Sequence, residues 1–280
     1  MRNIFRKVFR FCFDFAKRFG DNELIYFANA LTYKLLLAAF PLIIFLITLL
    51  GFFNLDISSS FKNIVISMPE EIKKIFIVVI NEVIFTKNIS ILSISLLISI
   101  FSASSGFNYL IKGLNKAFGV EDMHFIKARI ISIFLVFIFT ILIIASLILF
   151  IFCDAIESML FEYIGSSELL SQIFGMTGYI INAGVLFVIL LIIFKICLFR
   201  KIRFIQLVPG TLIVVFGWLL MSKFFNIYVN NFSKVSVVYG GLGSVFILLV
   251  WLNIISVLIL AGNQINAMII ERIDLHKNRK

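Results

Sequence analysis

The sequence predicts an all-α, polytopic membrane protein: a six-transmembrane-helix bundle with short amphipathic interfacial helices and both termini in the cytoplasm. Three observations predict it. The 280 residues are 61% hydrophobic and 14% charged, with a mean hydropathy of +1.11, more apolar surface than a water-soluble domain can hide. The apolar residues gather into runs about 20 residues long, the length that crosses a bilayer as a helix. The basic residues fall on one side of such a chain. Of the 25 Lys and Arg, 18 lie in residues 1–24, in 109–129, in 195–205 and after Met268. That excess marks the cytoplasmic face. The net charge of +10 then belongs to one membrane surface, suited to anionic lipid headgroups rather than to nucleic acid.

Residues 1–24 lack the short apolar core and cleavage site of a signal peptide. Ile4, Val8, Phe11, Phe15 and Phe19 share one helical face, with Phe5 and Cys12 beside it; Arg6, Arg10, Asp14 and Lys17 share the other. The expectation is a basic amphipathic helix lying along the headgroups. A membrane domain follows over 25–270, and 271–280 form a basic cytoplasmic tail.

The first span is placed at 30–53, with Pro41 inside it as a candidate kink. Lys34 precedes its uninterrupted apolar run. It either snorkels to the cytoplasmic interface or faces the bundle with Asn29 and Tyr33. Residues 54–88 form a long outer loop in which Ser67-Met-Pro-Glu70 resembles a capping box opening a short amphipathic helix. The second span, 89–108, is unusual for its polarity: Ser95, Ser99, Ser102, Gly106 and Tyr109 fall on one stripe. Such residues serve close helix packing or a polar wall along a pathway.

The third span, 130–153, is almost purely apolar and is expected to face lipid. The fourth, 176–195, ends in four basic residues, and the fifth, 206–228, carries Pro209 in its expected first turn. The sixth, 240–268, opens on Gly240, Gly241 and Gly243 and runs apolar from Val245 to Gly262 except for Asn253 and Ser256. An amide at mid-membrane must find its partner inside protein, so Asn253, Ser256, Leu260 and Asn263, which share a face, are expected to turn toward other helices. Cys12 and Cys197 are assigned to the reducing side and Cys153 to the other, so no disulfide is expected.

Three stretches carry a resemblance. They are Ala30-Leu31-Thr32-Tyr33 followed by Phe40-Pro41-Leu42; Leu114-Asn115-Lys116-Ala117-Phe118 with Arg129 downstream; and Tyr239-Gly240 with Gly243, Trp251 and Gly262 before the polar Asn263 and Gln264. In this order and spacing they are similar to the first-helix motif, the second cytoplasmic segment and the C-terminal signature of the YihY/BrkB family. The similarity covers about residues 25–270 and implies a multi-pass protein of the bacterial cytoplasmic (inner) membrane.

That family has carried a ribonuclease label, which the residues do not support. His124 and His276 lie far apart, no zinc-ligand spacing or phosphate loop occurs, and Glu121-Asp122 reads more simply as a solvated turn than as a cation site. No catalytic residue, metal or cofactor is expected. The polar faces of the second and last helices instead suggest transport or translocation of lipid or a small solute. The alternative is a scaffold that binds lipids, a second copy or an envelope protein without moving anything. No Asp or Glu lies within a span to relay protons or sodium.

Overall fold

A computed structural model describes residues 2–52, 89–120, 126–142, 168–232 and 241–277. Among them are seven helices and no strand: α1 (Arg2–Asp21), α2 (Leu24–Phe52), α3 (Ile89–Ala117), α4 (126–142), α5 (Glu168–Cys197), α6 (Phe204–Phe232) and α7 (Gly241–Lys277). Three are long and apolar enough to cross a membrane, over Ile89–Ala117, Phe204–Phe225 and Val245–Leu275. Apolar stretches in α2 (Leu24–Ala39) and α5 (Ala183–Cys197) are shorter within the described residues. The outer-loop helix expected after Ser67, Cys153, Tyr239, Gly240 and the far half of the third span lie outside them.

Helix ends follow local chemistry. Glu23 adopts a left-handed φ of 54°; its N–H bonds the Gly20 carbonyl at 2.8 Å, and its own carbonyl accepts from Tyr26 at 3.0 Å. One residue therefore ends α1 and begins α2. At the end of α3, Gly119 has φ 65°. The Gly119 and Val120 N–H groups bond the Lys116 and Asn115 carbonyls, a Schellman closure that favours glycine at this position. Arg203 opens α6: its N–H donates to Gln206 Oε1 at 2.9 Å, and its carbonyl accepts from the Gln206 N–H. Because α6 begins at Phe204, Pro209 sits in the second turn rather than the first. The polar Arg203–Gln206 pair starts the helix before the apolar run does.

α2 packs most extensively on α3, and α7 lies against α2, α3 and α6. The core gathers near the charged end of the bundle, where Leu24, Leu114, Phe194, Cys197, Leu207 and Leu260 are fully enclosed. α4 is not the simple lipid-facing helix expected. Ala128, Ser132, Leu135 and Val136 are buried on one face while Ile126, Ile130, Phe134 and Phe137 are exposed on the other. An unbroken apolar sequence conceals which side meets protein.

The backbones of α6 and α7 approach closely. A Cβ added to Gly210 would overlap the Gly262 carbonyl and the Asn266 side chain; one added to Gly262 would overlap Val214. Further out, Trp251 packs on Trp218 and Phe225 of α6, with ring centroids 6.0 and 4.5 Å away.

Candidate functional site

The polar stripe of α7 meets α2 at its upper end. Asn253 Nδ2 donates to Asn29 Oδ1 at 2.8 Å and lies 3.3 Å from Thr32 Oγ1. Thr32 Oγ1 lies 3.1 Å from Ser256 Oγ and 2.7 Å from the Ala28 carbonyl, so its single proton serves one or the other. Ser256 donates to the Leu252 carbonyl. Thr32 and Ser256 are enclosed, whereas Asn29 is exposed. The amide pair therefore stands at the exposed edge of the seam between α2 and α7. Beside it on α2, Tyr26 and Tyr33 are exposed; above it on α7, Phe246 is exposed and Leu249 partly so. A polar foothold among apolar and aromatic walls can hold an amphiphile, with its headgroup at the amides and its chain along the walls.

Farther down the same α7 stripe, Leu260 is fully enclosed, its Cδ2 reaching into the space a Cβ at Gly113 of α3 would take. Below it lies a second polar level. Gln264 Oε1 accepts from Asn22 Nδ2 at 2.9 Å, Asn263 Nδ2 donates to the Leu114 carbonyl at 2.9 Å, and Asn266 Oδ1 accepts the Gly210 N–H at 2.7 Å. These three amides bind α7 to the α1–α2 turn, to α3 and to α6 respectively. All three are fully buried, and each keeps one polar atom without a protein partner: Asn263 Oδ1, Gln264 Nε2 and Asn266 Nδ2. An unmatched buried amide atom costs about 1–3 kcal/mol, and three at one level of a helix are uncommon in a purely structural core.

The serine stripe of α3 behaves differently. Ser95 and Ser99 are buried, and their hydroxyls donate to the Leu92 and Leu96 carbonyls of their own helix at 3.1 and 2.8 Å; Ser104 does the same to Phe101. Gly106, on that stripe, faces α2, where a Cβ would come 3.4 Å from Lys34 Cβ. Ser102 and Tyr109 are half-buried. Gly106 of the α3 stripe and Asn253 of the α7 stripe thus meet different residues of α2, Lys34 in one case and Asn29 and Thr32 in the other.

Lys34 belongs to the α3 side, its stem beside Gly106 and its ammonium 5.6 Å from the Tyr33 ring centroid. Pro41 lies inside a helix that continues past it, and Gly241 and Gly243 form the first turn of α7. Asn115 is a bolt between chain segments. It donates to the Ile111 and Cys197 carbonyls at 2.8 Å each, and accepts the Phe199 N–H at 3.0 Å.

Four participants escape the sequence-based candidate set: Asn22, Thr32, Gly210 and Asn266. Thr32 sits in a stretch that carries the family resemblance and Asn266 just past the polar Asn263 and Gln264, but their partners lie on helices far away in the chain. Gly210 carries one available signal, its place directly after a proline inside an apolar run. Among the described residues no group of three His, Cys, Asp or Glu side chains is arranged to hold a metal ion.

A family model described as virulence factor BrkB matches residues 15–280. A Bacillus subtilis (strain 168) protein named as ribonuclease-like protein YfkH is 28% identical over 251 residues, which cover 89% of each chain. No solved structure matches. The chain belongs to the BrkB family and, with its apolar helices, is a membrane protein.

Proposed function

We propose that this BrkB-family member binds lipid-like amphiphiles in the seam between α2 and α7 and moves them, or a small solute, across the bacterial inner membrane. The observation that carries the reading is the Asn29–Asn253 amide pair, exposed at Asn29 and half-buried at Asn253. An amide facing hydrocarbon is unfavourable unless something polar visits it, and a phospholipid headgroup or glycerol ester is the polar group a bilayer supplies. The unmatched amides at Asn263, Gln264 and Asn266 supply a second polar level on the same helix. Leu260 lies between the two levels as an apolar barrier. With no acidic group on the stripe, movement along it is passive or driven by a partner protein.

The test is lipid movement in proteoliposomes carrying headgroup-labelled lipid and a membrane-impermeant quencher. Quenching that passes the one-leaflet limit, and falls back to protein-free rates in Asn253→Leu while the protein remains folded, supports the reading. Quenching that halts at one leaflet for anionic and zwitterionic lipids alike removes passive lipid movement and leaves a scaffold or movement driven by a partner protein.

Two observations favour a second reading, a static scaffold. The self-satisfied serines of α3 and the Gly210–Gly262 crossing describe helices packed for rigidity. A scaffold retains headgroup binding at the seam with no flux. RNA cleavage, suggested by the name of the Bacillus relative, draws on no residue constellation described above. Incubating the purified protein with RNA, with and without a chelator, tests it directly.

A further inference from the structure

The face that α1 turns outward is not the one its sequence pattern picks out. Phe11 lies under the Arg272 guanidinium at 4.9 Å, Phe15 and Phe19 pack together at 5.5 Å, and Phe19 also rests on the hydrophobic core. At Phe11 and Phe19 the apolar face expected to enter the headgroups meets the protein instead. Asp14 and Arg18 turn the same way, pairing with Arg272 (3.6 Å) and Glu271 of α7. What remains outward is the arc Arg6, Phe9, Arg10, Phe13 and Lys17, at i, i+3, i+4, i+7 and i+11. All five are exposed, Phe9 by 67% and Phe13 by 64%. The arc has three cations and no acid, because Asp14 points to Arg272.

The placement of α1 fits a membrane surface. It joins α2 through Asn22 and Glu23, and Asn22 is bonded to Gln264, just past the end of the apolar run at Gly262. Two adjacent α7 residues, Glu271 and Arg272, reach α1 across a stretch from Arg18 to Phe11. α1 therefore crosses α7 rather than running alongside it. A helix that leaves the bundle where the apolar run ends, and lies across a bilayer-crossing helix, lies along the bilayer surface.

We propose that the Arg6–Phe9–Arg10–Phe13–Lys17 arc docks α1 on an anionic lipid surface. The two rings wedge at the headgroup–acyl boundary and the three cations meet lipid phosphates, while the ion pairs with α7 hold the opposite face to the protein. This surface is separate from the α2–α7 seam and stands whether or not the protein moves lipid.

The experiment uses full-length protein with Cys12→Ser and Phe13→Cys, labelled with a polarity-sensitive fluorophore. Protein without Phe13→Cys provides the background. Reconstitution is into nanodiscs of phosphatidylcholine alone or mixed with phosphatidylglycerol. The label is expected to be blue-shifted and quenched by nitroxide-bearing lipid, at least about twofold more strongly in the anionic discs. That excess is expected to vanish at high salt and in Arg6→Gln/Arg10→Gln/Lys17→Gln. All five altered positions are exposed, and gel filtration verifies that each variant is intact. Water-like emission in both disc types, quenched by aqueous iodide, overturns the proposal and turns the arc toward a soluble acidic partner. Self-quenching that grows with the number of copies per disc also overturns it, in favour of a second copy.

Discussion

α3 and α7 both carry polar residues through an apolar span, yet they dispose of them in opposite ways. Ser95, Ser99 and Ser104 return their hydroxyl protons to carbonyls of their own helix. Asn253, Asn263, Gln264 and Asn266 bond to α2, α3, the α1–α2 turn and α6. The difference is one of reach and number. A hydroxyl has one proton and lies within range of the preceding turn, so a helix can absorb it. A primary amide has two protons and two lone pairs, more than one helix backbone can satisfy. In a membrane, then, serines permit close packing, whereas amides dictate neighbours and leave atoms over for something else.

The contrast can be broken most forcefully by separating α7 from its neighbour. Gly262→Val places methyl groups where Val214 and the Gly210 backbone already stand. Overpacking against backbone is expected to cost about 3 kcal/mol or more, and size-exclusion chromatography should show loss of monodisperse protein. Next comes Asn115→Ala, which strands the Cys197 carbonyl and the Phe199 N–H. A loss of about 2–3 kcal/mol is expected, read as a lower midpoint of thermal unfolding in detergent.

Asn253→Leu separates function from stability. Its network is partly open, so unfolding should shift by about 1 kcal/mol or less, while lipid movement in proteoliposomes falls to background. Ser95→Ala and Ser99→Ala should do least, under about 0.6 kcal/mol each, with flux unchanged. A flux defect at either serine, with Asn253→Leu active, would reverse the roles assigned to the two helices.

Much of this was legible in the residues alone. Run lengths reveal the helices, and the offsets of Asn253, Ser256 and Asn263 reveal a polar stripe, because both depend on local geometry. Partners were not legible. Nothing near Asn253 in the chain points to Asn29 or Thr32, and nothing near Asn266 points to the N–H of Gly210. The first helix shows the same limit in another form: periodicity showed that Phe11, Phe15 and Phe19 share a face, but not whether lipid or protein receives it. Pro209 was misplaced by a turn because hydropathy marks where a helix becomes apolar, while the Arg203–Gln206 pair marks where it starts.

α7 runs unbroken from Gly241 to Lys277, about 55 Å of helix, and its backbone touches α6 at Gly262. A rod gripped most closely at one level, around Gly262 to Asn266, behaves as a lever. A tilt of about 5° there would carry the Gly241 end about 3 Å sideways and swing the opposite arm, with Glu271, Arg272 and Asp274, the other way. Those charges grip α1 and Arg200 of the segment between α5 and α6. Widening or narrowing at the Phe246 end would thus be felt as tension on surface contacts at the far end of the molecule.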